Sequence, residues 1–467
     1  MKSILLLIFI SLFSFNLSAQ FDWKNTYSYN LINFVNSIDT TSEHGYFIAG
    51  GYKDVSSLGN YFAAKLDSNG NEIWQILGTK YIGFANDNIA RCIVNTGDGG
   101  CLIGGEINVT GSFDLYFIRI NSTGQVVWER IWGGENSQRM STIINNGNKY
   151  LCTFTTLVNP LTNYLLEFDD QGDSIWTKIL TGNGPSSSII KATNGNFIHL
   201  GAIKDSIDQN KIDLTISKLD SAGNTLSIHT FIDTISFYPR TINQSPDLGF
   251  LFSSYNDIYY TSKITKVDIN NQIQWERTFS PTNWCASTIH SNNDLTIVTG
   301  KFNSSIYAIN FDSSGNFKGG DTIPIGVLTS KVNDNITDWN GNLLICGNIY
   351  DSNSCMTCST EGIVVKVGLN TINKITELSS QNSVINIFPN PINSSVFDLT
   401  IKTYFPVDAI KLFDINGKII FQNKIYSSSL NSVFHIQLSK KLNPGTYFIY
   451  FENKSKIVEY KKLIVFN

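Results

Sequence analysis

The sequence predicts an all-β fold made of repeated four-stranded sheets, and three observations carry that expectation. First, a phrase of two apolar strands, a tight Asp-x-x-Gly turn and a strand bearing Trp recurs. It reads YFIAGG, YFAAKLDSNG and EIWQIL over residues 46–51, 61–70 and 72–77, and CLIGGE, LYFIRINSTG and VVWERI over 101–106, 115–124 and 126–131. Second, the turn residues Gly70, Gly124, Gly172, Gly223, Asn271 and Gly315 lie 44 to 54 residues apart, the length of one four-stranded propeller blade. Third, the second strand of the phrase occurs seven times, the last as LLICGN at 343–348. The expected architecture is a seven-bladed β-propeller closed by an N-terminal strand and followed by a small C-terminal β-sandwich.

Each repeated position has a physical cause. In the turns, Asp67, Asp169, Asp220, Asp268 and Asp312 can bond the backbone two residues on, while Gly supplies the positive φ of a short hairpin. Asn271, in the fifth turn, is the next best residue for that conformation. Four residues past the turn stands Trp74, Trp128, Trp176 or Trp275, a large flat side chain suited to the wedge between neighbouring sheets. Ser227 and Gly319 take that place in the fourth and sixth copies. The seventh copy stops after residues 363–368 with no Trp strand, whereas FDWKNTY at 21–27 reads as a Trp strand with no blade before it. The N-terminal strand is therefore expected to complete the seventh blade, with Trp23 beside residues 363–367, and so remove the open edges of the ring.

The flanks read differently. Residues 1–19 have the form of a secretory signal peptide, with Lys2, an apolar core at 4–15 and Leu17-Ser18-Ala19 before cleavage between Ala19 and Gln20. That apolar run is shorter than the ~20 residues of a spanning helix, so no membrane span is expected in the mature chain. The propeller is expected over 20–370 and a polar linker over 371–383. Residues 384–467 carry FPNP at 388–391, DINGK at 414–418, PGTY at 444–447 and KKLIV at 461–465. Asn416-Gly417 is a strong hairpin signal, and the alternating end reads as the closing strand of a small antiparallel sandwich.

The order and spacing of these motifs resemble the type A C-terminal sorting domain of the type IX secretion system of Bacteroidetes. The resemblance implies export across the inner and outer membranes, the type IX machinery as partner, and removal of the domain near the linker, with the protein released or held at the cell surface. The repeats over 21–370 resemble propeller repeats of secreted proteins from such bacteria, a group without one shared activity; this supports the fold and leaves function open.

Composition narrows the function classes. The chain has 467 residues, 35 Gly, 12% aromatic residues and a net charge of -4. With no basic run, neither nucleic acid nor an anionic membrane is an expected partner. His44, His199, His229, His290 and His435 form no H-x-x-x-H pair, and no nucleophile elbow, phosphate loop or dinucleotide fingerprint occurs, so no metal and no cofactor are expected. Residues 67–72 glance at a calcium loop without its downstream Glu. Arg91, Arg139 and Arg240 each fall near the first strand of a blade, as a carboxylate clamp would need. The Asp-box of sialidases, however, sets Gly two and the aromatic five residues after Asp; here the intervals are three and seven.

Recognition is expected on one face. Short turns share one side of the blades, while the long, variable connections at 52–60, 78–88, 234–240 and 349–361 share the other, where recognition usually sits. Phe84, Trp132, Phe237, Tyr238, Tyr259 and Trp284 are available there to stack on a glycan or anchor a protein ligand, with Arg91 and Arg139 beside them; packing inside their own loops is the competing reading. Seven cysteines in an exported chain suggest an oxidising compartment. Cys355 and Cys358 read as a local disulfide, Cys92 and Cys101 across the TGDGG turn as a second, and Cys152 and Cys346 as buried free thiols. Asp followed by Ser or Thr at Asp173, Asp205, Asp220, Asp233 and Asp321 resembles the O-glycosylation motif of Bacteroidetes exported proteins, although chance explains so short a pattern equally well. The expected function is a secreted or surface-displayed, non-catalytic binding or adhesion propeller. The alternatives are a glycan-active hydrolase or lyase at the channel mouth, with Asp39, Asp87, Glu135 and Asp338 as its carboxylates, or a structural spacer without a small ligand.

Overall fold

A computed structural model gives the architecture. It describes residues 22–368 except 31, 54–58, 79–87, 109–110, 206–207, 209–210, 257, 259–260, 280–283, 291–295, 303–304, 325–328 and 351–359, together with 385–388, 396–401, 409–414, 418–424, 432–437, 442–443, 445–453 and 456–465. The chain divides into two compact units, Met1–Lys374 and Ile375–Asn467.

The first unit is all-β. After β1 (Trp23–Tyr27) come six antiparallel quartets: β2 (Ile32–Thr40), β3 (Tyr46–Lys53), β4 (Gly59–Leu66) and β5 (Glu72–Leu77); β6 (Ile89–Asn95), β7 (Cys101–Asn108), β8 (Phe113–Ile120) and β9 (Val126–Trp132); β10 (Gln138–Asn145), β11 (Lys149–Thr156), β12 (Thr162–Asp169) and β13 (Ser174–Leu180); β14 (Ser186–Lys191), β15 (Phe197–Lys204), β16 (Ile212–Leu219) and β17 (Thr225–Phe231); β18 (Tyr238–Gln244), β19 (Phe250–Asn256), β20 (Thr261–Val267) and β21 (Ile273–Phe279); and β22 (Trp284–His290), β23 (Thr296–Phe302), β24 (Ser305–Phe311) and β25 (Phe317–Pro324). A trio follows, β26 (Thr329–Thr337), β27 (Leu343–Tyr350) and β28 (Thr360–Val367). β1 lies antiparallel on β28, with Trp23 opposite Lys366 and Thr26 opposite Ile363. A single parallel register pair, Ile32 with Thr360, joins the trio to the first quartet, and among the described residues no sheet closes on itself. In the first two quartets the middle strands are almost wholly buried while the outer strands β5 and β9 alternate, as expected when sheets stack face to face.

Two joints recur between sheets. The first is a bulge in every first strand, at Asn36, Arg91, Ser141, Ser187, Arg240, Ala286 and Asn333. A bulge re-aims a side chain, and at four of these positions it aims at the neighbouring first strand. Asn36 Nδ2 donates to Ala90 O (2.8 Å), Ser141 Oγ to Ser186 O, Ser187 Oγ to Arg240 O, and Asn333 Nδ2 to Val35 O (2.7 Å). First strands accordingly neighbour one another in sequence, β2 with β6 and so on to β22 with β26, and β26 neighbours β2.

The second joint involves the repeated Trp. Each stands in one register slot of its outer strand, and its indole packs on the turn glycine of the following quartet: a Cβ at Gly124, Gly172, Gly223 or Gly315 would meet the ring of Trp74, Trp128, Trp176 or Trp275 at 2.5 to 3.0 Å. Trp23 sits in the same way on Gly70, at 2.7 Å. Indole Nε1 donates to a turn carbonyl in four of these contacts, Trp23 to Ser68, Trp74 to Ser122, Trp128 to Asp170 and Trp275 to Ser313. The turn glycine therefore answers two demands, a positive φ of 74 to 83° and the absence of a side chain beneath an indole.

The turn aspartates behave as hairpin residues. Asp67 accepts from the amides of Asn69 and Asn71 and from Asn71 Nδ2, which accounts for the carboxylate of the calcium-like sequence.

The second unit holds a three-stranded sheet of β29 (Ile385–Phe388), β30 (Val396–Ile401) and β33 (Ser432–Gln437), and a four-stranded sheet in the order β32 (Ile419–Lys424), β31 (Ala409–Asp414), β34 (Gly445–Asn453), β35 (Lys456–Val465). The β31–β32 hairpin is closed by Asp414 N to Lys418 O, and β35 ends the sheet along β34, as the terminal alternation predicts.

Candidate functional site

Two cavities among the described residues bear on function. One, of about 530 Å³, runs between the C-terminal halves of the first strands β2, β10, β14, β18 and β26. Hydroxyls and amides line one side, Thr142, Ser188, Thr241 and Gln244 among them, and Asp39 and Asp334 lie on the other. Burial pushes both carboxyls up, Asp334 to about 6, and the charge of Asp39 adds to that of Asp334. Both also hold strands together. Asp39 accepts from Thr40 N and, across the sheet boundary, from Asn95 N; Asp334 accepts from Asn335 N and, across its boundary, from Ser37 Oγ and Ile38 N. Asp39 was foreseeable. Asp334 was not, because only the bulge at Asn333 turns it inward.

The second cavity is a lateral cleft of about 210 Å³ between the fourth and fifth quartets, under the connection from β17 to β18. Ile212, Leu214, Ile235 and Phe252 form an apolar floor. Phe231 stacks edgewise on His229 (4.7 Å) and tilts on Phe252 (5.1 Å). On one wall the buried ammonium of Lys263 is bonded to Asp233, lies 3.4 Å from Glu276 Oε1 and sits 4.5 Å over the Phe237 ring. Thr265 Oγ1 donates to the same Glu276 oxygen (2.9 Å). The Lys263 ammonium, with the amide of Thr234, holds the Asp233 carboxyl below the usual carboxylate range against the upward push of its partial burial. Ile232 and Ile273 stand exposed at the rim.

The residues singled out from the sequence distribute unevenly. Trp132 packs on Phe117 and Phe168, and Tyr238 stacks on Tyr255, while both side chains keep part of their surface exposed. Phe237 is buried, yet it forms a wall of the lateral cleft. Arg91 grips Glu106 with two bonds and Arg240 lies over Tyr255, each within its own sheet, while Arg139 is exposed on β10. The carboxylate clamp therefore does not assemble from Arg91 and Arg240. Asp338 is buried against Lys366 (3.0 Å), and Glu135 is exposed. Trp284 opens β22, with its side chain outside the described residues. Phe84, Asp87, Tyr259, Cys355, Cys358 and the Ala19–Gln20 cleavage point also lie outside them.

The Cys92–Cys101 bridge is corrected. Both thiols are free, because Cys92 stands opposite Gly104 while Cys101 stands opposite Asn95, and the two side chains enter different core layers. Cys152 and Cys346 are buried free thiols, as expected. Among the described residues no group of three metal-ligating side chains occurs, and no helix is long and apolar enough to cross a membrane.

A feature the sequence reading missed is a buried charge opposite the Trp slot. Lys65, Arg119, Glu167, Lys266 and Lys366 are each almost fully buried and ion-paired, for example Arg119 with Asp98 and Asp170. A charge every fifty residues inside an apolar strand was the available signal.

No curated protein matches the chain in sequence. Among solved structures it is similar to Sqt1 from Chaetomium thermophilum (TM-score 0.46, 11% identity, covering 75% of this chain and 100% of that one). It is also similar to a protein of unknown function from Bacteroides caccae (0.39, 15%, 54% and 83%). A third is PorZ, a surface component of the type IX secretion system of Porphyromonas gingivalis (0.30, 10%, 91% and 69%). Residues 386–466 match the family described as a secretion system C-terminal sorting domain, which marks the protein as a type IX secretion cargo delivered to the cell surface or released from it.

Proposed function

We propose that the first unit is a seven-bladed β-propeller closed by β1 and that it acts, once exported, as a non-catalytic binding module. Six quartets and a trio completed by β1 make seven sets of four, and both joints support closure: Trp23 meets Gly70 as Trp74 meets Gly124, and Asn333 meets Val35 as Asn36 meets Ala90. Around this ring we place the signal peptide at 1–19, the propeller at 20–370, the linker at 371–383 and the sorting domain at 384–467, with processing near the linker.

The observation that carries binding is the lateral cleft, a mixed apolar and ionic hollow under one of the long connections, on the face where variable loops gather. A catalytic reading draws on one observation, the raised carboxyls Asp39 and Asp334. Their oxygens accept bonds from neighbouring first strands, which suits a joint better than an acid and base waiting for substrate. The test is to screen the secreted full chain against a glycan array, surface-protein extracts and glycan substrates. Saturable binding without turnover is expected. Hydrolysis or elimination abolished by Asp334→Asn would replace this reading with the enzyme.

A further inference from the structure

The lateral cleft lies at the one quartet-to-quartet boundary where the repeat drops its indole joint. Ser227 occupies the Trp slot of β17, and the turn it faces carries Asn271 instead of Gly. Two departures from a pattern kept at the other quartet-to-quartet boundaries thus coincide with a cavity. We propose that this cleft binds one neutral, pyranose-sized sugar unit, the end of a glycan chain; this rests on the binding reading above and names its ligand class.

The argument is one of charge and hydrogen-bond polarity. Lys263 is 8% exposed and lies between Asp233 and Glu276, whose side chains are 33% and 37% exposed. Acceptor, donor and acceptor stand side by side. A vicinal diol matches that order, since each hydroxyl both donates and accepts, and hydrogen bonds to charged partners are the stronger kind. Two carboxylates against one ammonium leave the wall net negative, which opposes a sialic or uronic acid. The buried ammonium at its centre opposes an amino sugar or a lysine side chain. A neutral polyol meets neither penalty. Phe231 and the aliphatic floor offer an apolar surface to the C–H face of a sugar ring. A volume of about 210 Å³ is room for one sugar ring.

Calorimetric titration of the full chain with methyl glycosides of neutral hexoses, of a sialic or uronic acid, and of glucosamine tests this. Binding is expected for a neutral glycoside alone, weakened at least tenfold by Lys263→Met and by Glu276→Gln and left unchanged by Ile179→Ser on the exposed face of β13. Thr230→Trp, built at an exposed position on the rim, should block the cleft without lowering the melting temperature, and so separates lost binding from lost folding. Preference for the acidic or amino sugar, or neutral binding indifferent to all three cleft variants, overturns the proposal. A protein ligand that competes at the cleft, with no glycoside bound, overturns the sugar while the binding reading stands; no ligand of any class overturns both.

Discussion

The boundary between the third and fourth quartets and the boundary between the fourth and fifth are built from the same repeat and end differently. In the first, Trp176 covers Gly223, and Lys178 lies 5.0 Å over the indole while donating to Ala222 O and Asn224 Oδ1. In the second, Ser227 stands in the Trp slot opposite Lys218, Asn271 holds the turn at a φ of 64°, and Lys218 reaches across to Ile269 O. Tryptophan and glycine are thus one device split between two sheets. They occur together five times and are absent together once. The other missing indole, at Gly319 of β25, fits the same rule. β25 is followed by the sheet in which β28 meets β1, two strands joined by pairing and by no hairpin, so the Asp-x-x-Gly turn of the other sheets does not link them.

The largest effect should come from removing an indole. Trp128 is almost fully buried against Gly172, so Trp128→Ala is expected to cost ~3–5 kcal/mol, whereas Ser227→Ala should stay within about 0.5 kcal/mol. Urea midpoints of the two variants measure this directly, and equal costs would mean that the indole joint does not distinguish the boundaries.

Next comes the boundary made without a chain connection. Lys366 donates to Tyr46 OH and pairs with Asp338, whose side chain is fully buried, beside the contact of Trp23 with Tyr46. Lys366→Met leaves that carboxylate buried without its counter-ion, though still bonded by Asn340 N, Asn342 N and Asn342 Nδ2, at an expected cost of about 3 kcal/mol. If this boundary holds the ring as the indole boundaries do, the loss appears as one cooperative transition at lower urea. A separate early transition would show that β1 detaches on its own.

The extent to which the sequence anticipates this molecule follows the range of each cause. Turn chemistry and strand alternation act within about ten residues, so the Asp-x-x-Gly hairpins and the Trp strands were visible, and so was the partner of Trp23, because the missing and surplus strands were of one kind. The bulges at Asn36 or Asn333 leave no local mark, since Asn, Arg, Ser and Ala all occupy that position. Without them Asp334 could not be placed beside Asp39. Phe237 was visible as an aromatic in a long connection, but the wall it forms with Lys263 joins residues of two sheets. The meaning of Ser227 needed the neighbouring turn: read alone it looks like a weak repeat, and read with Asn271 it is a matched change.

That match can be tested by restoring it. Ser227→Trp alone should cost ~1–3 kcal/mol, because the indole would meet the Asn271 side chain where the other boundaries offer bare glycine. Asn271→Gly alone should shift stability little, the position already being left-handed. The double variant is expected to recover at least about 1 kcal/mol beyond additivity in a double-mutant cycle. A cycle that closes additively would separate the two substitutions and remove the pairing rule.

The smallest effect is a pH dependence in which two parts of the first unit oppose each other. His199 points toward the third quartet, bonded to Ser186 Oγ (2.9 Å), and burial lowers it from 6.5 to about 4. Between those values the unfolded chain binds more protons than the folded one, so this group's contribution is full above about pH 6.5 and is lost as pH falls toward 4. Asp334 runs the other way. Burial raises it from 3.8 to about 6, so between those values the folded chain binds more protons, and stability gained on acidification through 6 is lost again as pH rises. From about pH 6.5 to 5 the two largely cancel, and the intact protein should change by less than about 1 kcal/mol. Removing either group exposes the other: Asp334→Asn should lose stability on acidification over that range, and His199→Gln should gain it. Urea midpoints at the two pH values decide the matter, because parallel slopes in the two variants would mean that neither buried group is held in the protonation state its surroundings impose.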